Sequence, residues 1–491
     1  MLSRRELLRH GGAVAGLGLG LTAMNRASAV GAGDYKALVC IFLYGGNDHY
    51  NTVLATDEAS WSAYSAERGD VVGGIALAPP GTQAKGSGSL HQRLGGVLPI
   101  TPATPQAGRS FALHPSIASL QTLFNRQRLA IVANVGNLLG PTVKSDYDNS
   151  TAMRPSKLGS HNDQQSVWQS GGAEGTTRGW GGHFMDGQIG ANTQSMFSAI
   201  SVNGNAVWLP GKQTRAYQLA PSGPVRVGLD DGTVYGSAEV LRRMRGIMTT
   251  TRDNRLIERE HAAVSQRSYA AVDVLGGIYP GVTAGPWGSR SDPLTDPLLQ
   301  YRDPATKADL YNPLAHQLQA VARTMAVRGT LGMGRQVFFV GLGGWDTHDT
   351  MQDRHAPLLA QLAHAMQYFD DTLGAMGLDD SVTTFTMSEF GRALTSNGDG
   401  CDHGWGSHHF VMGGAVKGGD IYGRFPTYSG TDGQGHFLSD DLLDSGQLLP
   451  AQSADQYAAT LGSWLGVADS ELDLILPNLS RWGSKRNLGF V

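Results

Sequence analysis

Four short stretches of the chain are apolar or β-branched with no charged residue: Ala37-Leu-Val-Cys-Ile-Phe-Leu43, Leu129-Ala-Ile-Val-Ala-Asn-Val135 (one Asn inside), Gln336-Val-Phe-Phe-Val340 and Val382-Thr-Thr-Phe-Thr-Met387. Runs of this length, rich in β-branched and aromatic residues and lacking polar alternation, predict strands buried on both faces. Between them the apolar positions recur at helical spacing. They predict helices near 116–126, 314–326 and 356–376, and a closing helix from Ser453 to Leu465 that Gly466 ends. Strands alternating with helices predict an α/β fold: a doubly wound, mostly parallel sheet with helices on both faces. Residues 57–110, rich in Gly, Pro and Ser, read as loop around a crevice mouth. Residues 195–235 read as short strands and turns, 238–266 as charged helix with a solvated face, and 417–426 as a hairpin or rim.

The polar residues that interrupt this pattern fall at strand ends. The strand at 336–340 passes through Gly341-Leu-Gly-Gly-Trp345 into Asp346-Thr-His348, and the strand at 382–387 runs directly into Ser388-Glu389-Phe-Gly-Arg392. A loop then leads to Asp402-His403. In a βαβ unit both strands end on the same sheet edge, where α/β proteins hold their ligands. Asp346, His348, Glu389, Asp402 and His403 therefore become one candidate cluster, and two imidazoles with three carboxylates suit a divalent metal. The first strand opens into Gly45-Gly-Asn-Asp48, which adds Asp48 as a candidate ligand; His408 and His409 stand just beyond the cluster. Taken singly, these residues also read as an Asx turn, a helix-start carboxylate and a polar loop; their coincidence at strand ends favours a site. Ser160 heads the segment His161–Trp168 and reads either as a helix N-cap or as a nucleophile at a helix N-terminus. Arg392, one helical turn after Glu389, reads either as an anion contact or as an ion-pair partner.

The first 29 residues carry Ser3-Arg-Arg-Glu-Leu-Leu-Arg9, a weakly apolar run and Ala27-Ser-Ala29. Together these predict a twin-arginine signal peptide cleaved after residue 29, with the export machinery as a partner and a periplasmic or secreted location. No later stretch is long and apolar enough for a transmembrane segment. Without the signal the chain holds 34 basic and 41 acidic residues, a net charge of −7, and no basic tail, which argues against a nucleic-acid partner. Residues 30–491 read as a single α/β domain with insertions. The two cysteines, Cys40 in mid-strand and Cys401 beside the Asp402-His403 pair, stand too far apart for a disulfide and are expected to be free thiols.

Several of these motifs together resemble a bacterial twin-arginine-exported family, domain of unknown function 1501, grouped with the alkaline phosphatase/sulfatase superfamily. The resemblance rests on Gly45-Gly-Asn-Asp48, Leu113-His-Pro115, Ser160-His161, Gly344-Trp-Asp-Thr-His348, Ser388-Glu-Phe-Gly-Arg392 and Asp402-His-Gly404. It implies one or two divalent ions (Zn, Mn, Ca or Mg) held by Asp48, Asp346, His348, Glu389, Asp402 and His403. It also places Ser160 where a nucleophile stands. The activity it implies is metal-dependent hydrolysis of phosphate or sulfate esters, acting on a small anionic ester or an envelope glycan. The alternative is a non-catalytic, metal-stabilised envelope binding or assembly protein.

Overall fold

The computed structural model describes residues 34–69, 74–226, 228, 232–251 and 255–491; the sequence read as a signal peptide lies outside them. The strands of the central sheet are, in chain order, β1 (Lys36–Tyr44), β2 (Leu129–Gly136), β3 (Ala199–Ser201), β4 (Tyr217–Gln218), β5 (Arg335–Gly343), β6 (Val382–Met387), β7 (Ser407–Met412), β8 (Ile421–Tyr422) and β9 (Gln452–Ser453). They lie in the order β8-β2-β7-β6-β1-β5-β3-β4, with β9 also paired to β2. β1 is flanked in parallel by β5 and β6, and β3 by β5 and β4. β7 alone runs antiparallel, against both β6 and β2.

Helices cover both faces, and β1 shows how. Ala37, Val39, Ile41 and Leu43 pack into one apolar cluster with the helices α2 (Ala118–Asn125), α4 (Pro313–Ala326) and α5 (Met351–Ala375). Leu38, Cys40 and Phe42 pack into another with Trp168 of α3 (His161–Ser170) and with α6 (Ala454–Leu465). Successive strand residues point to opposite faces, so a strand buried on both sides has no polar positions to alternate. The four apolar runs are β1, β2, β5 and β6, as the pattern predicts. Among the described residues no helix is long and apolar enough to cross a membrane.

Two segments differ from their reading. Residues 57–110 contain α1 (Glu58–Arg68), which Asp57 caps by accepting from the Ser60 amide, together with short strands. Residues 421–422, read as part of a rim, extend the central sheet by pairing with β2.

Candidate metal centre

β1, β5 and β6 end together, and the loops that leave them are tied by one buried side chain. Arg392 opens the short strand Arg392–Ser396, which pairs with Cys401–His403. Its guanidinium is wholly buried and donates to the carbonyls of Gly46 (2.9 Å), Cys401 (3.1 Å), Trp345 (3.2 Å) and Gly45, and to Asp346 Oδ1 at 2.5 Å. Gly45 lies at φ +120°, and a Cβ there would overlap the Asp346 backbone nitrogen, so only glycine allows this approach. Expected as an anion contact or an ion-pair partner, Arg392 meets protein acceptors on all three of its guanidinium nitrogens.

Asp346 is the centre of what this clamp holds. Its side chain is 45 % exposed at the crevice. Burial alone would raise its carboxyl, but Arg392, with His161 and His348, holds it down at about 2. His403 Nε2 stands 3.3 Å and His348 Nε2 3.2 Å from Asp346 Oδ1, and His161 Nε2 stands 3.5 Å from Oδ2. The two nitrogens of His348 and His403 are 2.9 Å apart. Ligand atoms of His161, Asp346 and His403 all lie within 4.8 Å of one another.

The other ring nitrogens fix the tautomers. His161 Nδ1 lies 2.8 Å from Glu389 Oε1, His403 Nδ1 2.8 Å from the Gly159 carbonyl, and His348 Nδ1 3.2 Å from Asp402 Oδ1. Carbonyls and ionised carboxylates only accept, so with a cation on the Nε2 side each Nδ1 would carry the hydrogen and each neutral ring would present its Nε2 lone pair. Three ring nitrogens and a carboxylate thus face one another, an arrangement that a cation between them would stabilise. The separations suit one: ligand atoms about 2.0–2.1 Å from a tetrahedral zinc-like ion are about 3.3 Å apart. Carboxylates and carbonyls behind metal-bound imidazoles are the usual orienting partners. The hydrogen bond to Glu389 raises the His161 imidazole, against burial, whereas burial lowers His403.

The expected residues therefore separate. Asp346, His348 and His403 converge, and Asp402 and Glu389 stand behind them rather than among them. Glu389 is buried; its Oε1 also accepts from the Gly45 amide (2.8 Å) and Gln165 Nε2 (3.1 Å). Asp48 does not join. Both of its oxygens are taken by Arg68 of α1, at 2.6 and 2.9 Å, and both side chains are fully buried. Ser160 caps α3, and its hydroxyl donates to Asp163 Oδ2 at 2.7 Å. His408 and His409 are buried within β7. The candidate ligand that the sequence pattern did not single out is His161: it directly follows the Ser160 cap, on the first turn of a helix above the sheet edge.

The family described as "Protein of unknown function (DUF1501)" matches residues 35–476. Comparison with curated proteins gives no match. Among solved structures, the chain is similar to a protein of the core genetic locus for metabolism of multiple glycosaminoglycans in Bacteroides thetaiotaomicron. The identity is 10 % over 89 % of this chain and 74 % of that one, with a TM-score of 0.34. It is similar also to Ps i-CgsB in complex with k-i-k-neocarrahexaose (9 %, 92 % and 77 %, TM-score 0.33). A third is the lipoteichoic acid synthase LtaP from Listeria monocytogenes (8 %, 91 % and 78 %, TM-score 0.31).

Proposed function

The chain belongs to the DUF1501 family, and from that premise we propose that it is an exported, metal-dependent hydrolase of phosphate or sulfate esters. The observation that carries this reading is the convergence of the Nε2 atoms of His161, His348 and His403 on the half-exposed Asp346, each ring held from behind by an acceptor. His161, Asp346 and His403, with His348 beside Asp346, would hold a divalent ion, which would supply Lewis acidity toward an ester oxygen and offset the charge that develops there.

The chain's own residues orient and restrain. Glu389, Asp402 and the Gly159 carbonyl keep the imidazoles in the ligating tautomer, and Arg392 fixes the Asp346 carboxylate against the loop carbonyls. With the Ser160 hydroxyl engaged by Asp163, water is the attacking group: R–O–SO3⁻ and water give R–OH and hydrogen sulfate, with the phosphate case analogous.

One observation favours the non-catalytic alternative, a metal-stabilised envelope protein: neither Arg392 nor Ser160 offers a free group to the crevice. Metal analysis of the purified protein, with hydrolysis of 4-nitrophenyl sulfate and 4-nitrophenyl phosphate, separates the two. Bound metal and turnover that disappear together in His403→Ala support the hydrolase. Bound metal without turnover of either ester supports the alternative, and a protein that binds no divalent metal overturns both.

A further inference from the structure

A cavity of about 190 Å³ lies beside the histidine cluster at the same sheet edge. One wall is a face of α3, where Asn162, Gln165 and Gln169 recur at helical spacing. The opposite wall comes from Tyr44, the last residue of β1, and from Asn205, just past β3. Gln165 belongs to both places, because its Nε2 donates to the Glu389 oxygen that holds His161.

The lining is polar yet nearly uncharged. No lysine or arginine lines the cavity, and Glu174 is its one charged group. An anionic group would find no counter-charge there, whereas carboxamides both donate and accept, as hydroxyl groups do. Parts of these side chains are spent: Gln169 Oε1 accepts from the Trp208 amide, and Asn205 Oδ1 accepts from Gln218. Their NH2 groups, Gln165 Oε1 and the exposed Asn162 carboxamide remain for a ligand. Burial, then Cys40 and Glu389, raises the Tyr44 phenol, which keeps its proton to donate. The volume is below the roughly 300–1,000 Å³ of clefts for drug-sized ligands and suits a single pyranose ring.

We propose that this cavity is a neutral-sugar subsite, holding the polyol part of an ester whose anionic group lies at the histidine–Asp346 cluster. The second half of this statement rests on the hydrolase reading; sugar binding itself does not.

The test uses the full metal-loaded protein and saturation-transfer NMR with methyl glucoside, methyl galactoside, methyl mannoside and N-acetylglucosamine, with inorganic sulfate as the charged control. At least one sugar is expected to bind. Asn162→Ala and Tyr44→Phe are each expected to weaken it by about tenfold, roughly one hydrogen bond, with metal content unchanged. In turnover, Asn162→Ala should raise KM for a sugar sulfate and leave 4-nitrophenyl sulfate untouched. No binding by any of the four sugars, or equal binding by wild type and both variants, overturns the subsite. Hydrolysis of 4-nitrophenyl sulfate without sugar binding overturns the subsite alone. Sugar binding without hydrolysis of any ester overturns the hydrolase reading and keeps the subsite.

Discussion

Asp48→Asn is the substitution that separates a structural carboxylate from a metal ligand. In the folded protein Arg68 forms a two-pronged pair with Asp48, donates Nε to the Leu394 carbonyl (3.1 Å) and Nη2 to that of Ala393 (2.8 Å), and lies over the Tyr50 and Tyr64 rings. Asn keeps the shape and removes the charge, leaving the guanidinium buried without a counter-ion. Breaking one side of such a pair costs about 3–5 kcal/mol, a large part of a net stability of about 5–15 kcal/mol. Urea unfolding of the metal-loaded protein should show a clear drop in midpoint, while metal content after refolding stays that of the wild type. Replacing both partners, as Asp48→Asn with Arg68→Met, should recover much of the loss, because the stranded charge goes with its partner. If Asp48→Asn instead empties the metal site and leaves the unfolding midpoint in place, Asp48 is a ligand and the pairing argument fails.

Ser160→Ala should lower stability by about 0.5–2 kcal/mol, the range for a lost N-cap, and leave ester turnover intact; abolished turnover with metal retained would make Ser160 the nucleophile. Glu389→Gln should weaken metal affinity by about 10–100-fold without unfolding the protein, the scale for a lost orienting partner, as measured by chelator competition. Burial pushes His91 and His355 down to about 4, and His408 and His409 to about 3, and all four are buried. Their folded values lie below the unfolded value near 6.5, so the stability they contribute is full above that pH and is lost as pH falls toward the folded values. By pH 5 each should have lost roughly 2 kcal/mol, and acid titration of the unfolding midpoint should show the decline start near pH 6.5; a midpoint flat from pH 7 to 5 refutes it. Both cysteines are free and buried, Cys401 with its sulfur 3.7 Å from that of Met351, so two thiols should react with a thiol reagent only after denaturation.

The sheet was legible because burial on both faces leaves a mark that survives without neighbours: β1, β2, β5 and β6 are runs of apolar and β-branched residues with no charged side chain inside. β7 was not, since two of its six residues are histidines, and their burial depends on Trp168, Tyr457 and Phe425 packed around them. Helix α1 was hidden by the Gly- and Pro-rich sequence that follows it, although Asp57 before Glu58 and Gly69 after Arg68 mark its ends. That omission carried over to the site, because a carboxylate at a strand end reads as a ligand until its arginine is found. The order of the ligands was equally hidden. Glu389 and His161 are 228 residues apart, and only the closed fold shows that one holds the other.

The placement of β1 also dictates when the protein can begin to fold. Its register partners start at Arg335 and Val382, which are 299 and 345 residues downstream of Lys36 and Ala37. At synthesis rates of about 5–20 residues per second, β1 waits roughly 15–60 s for its first neighbour. During that time an apolar strand with two open edges lacks both of its native partners. Sheets closed by such distant contacts form slowly and aggregate readily while open. The central strand that organises the finished molecule is thus its chief hazard during biogenesis, and refolding yield should depend on dilution or on a chaperone that shields that one segment.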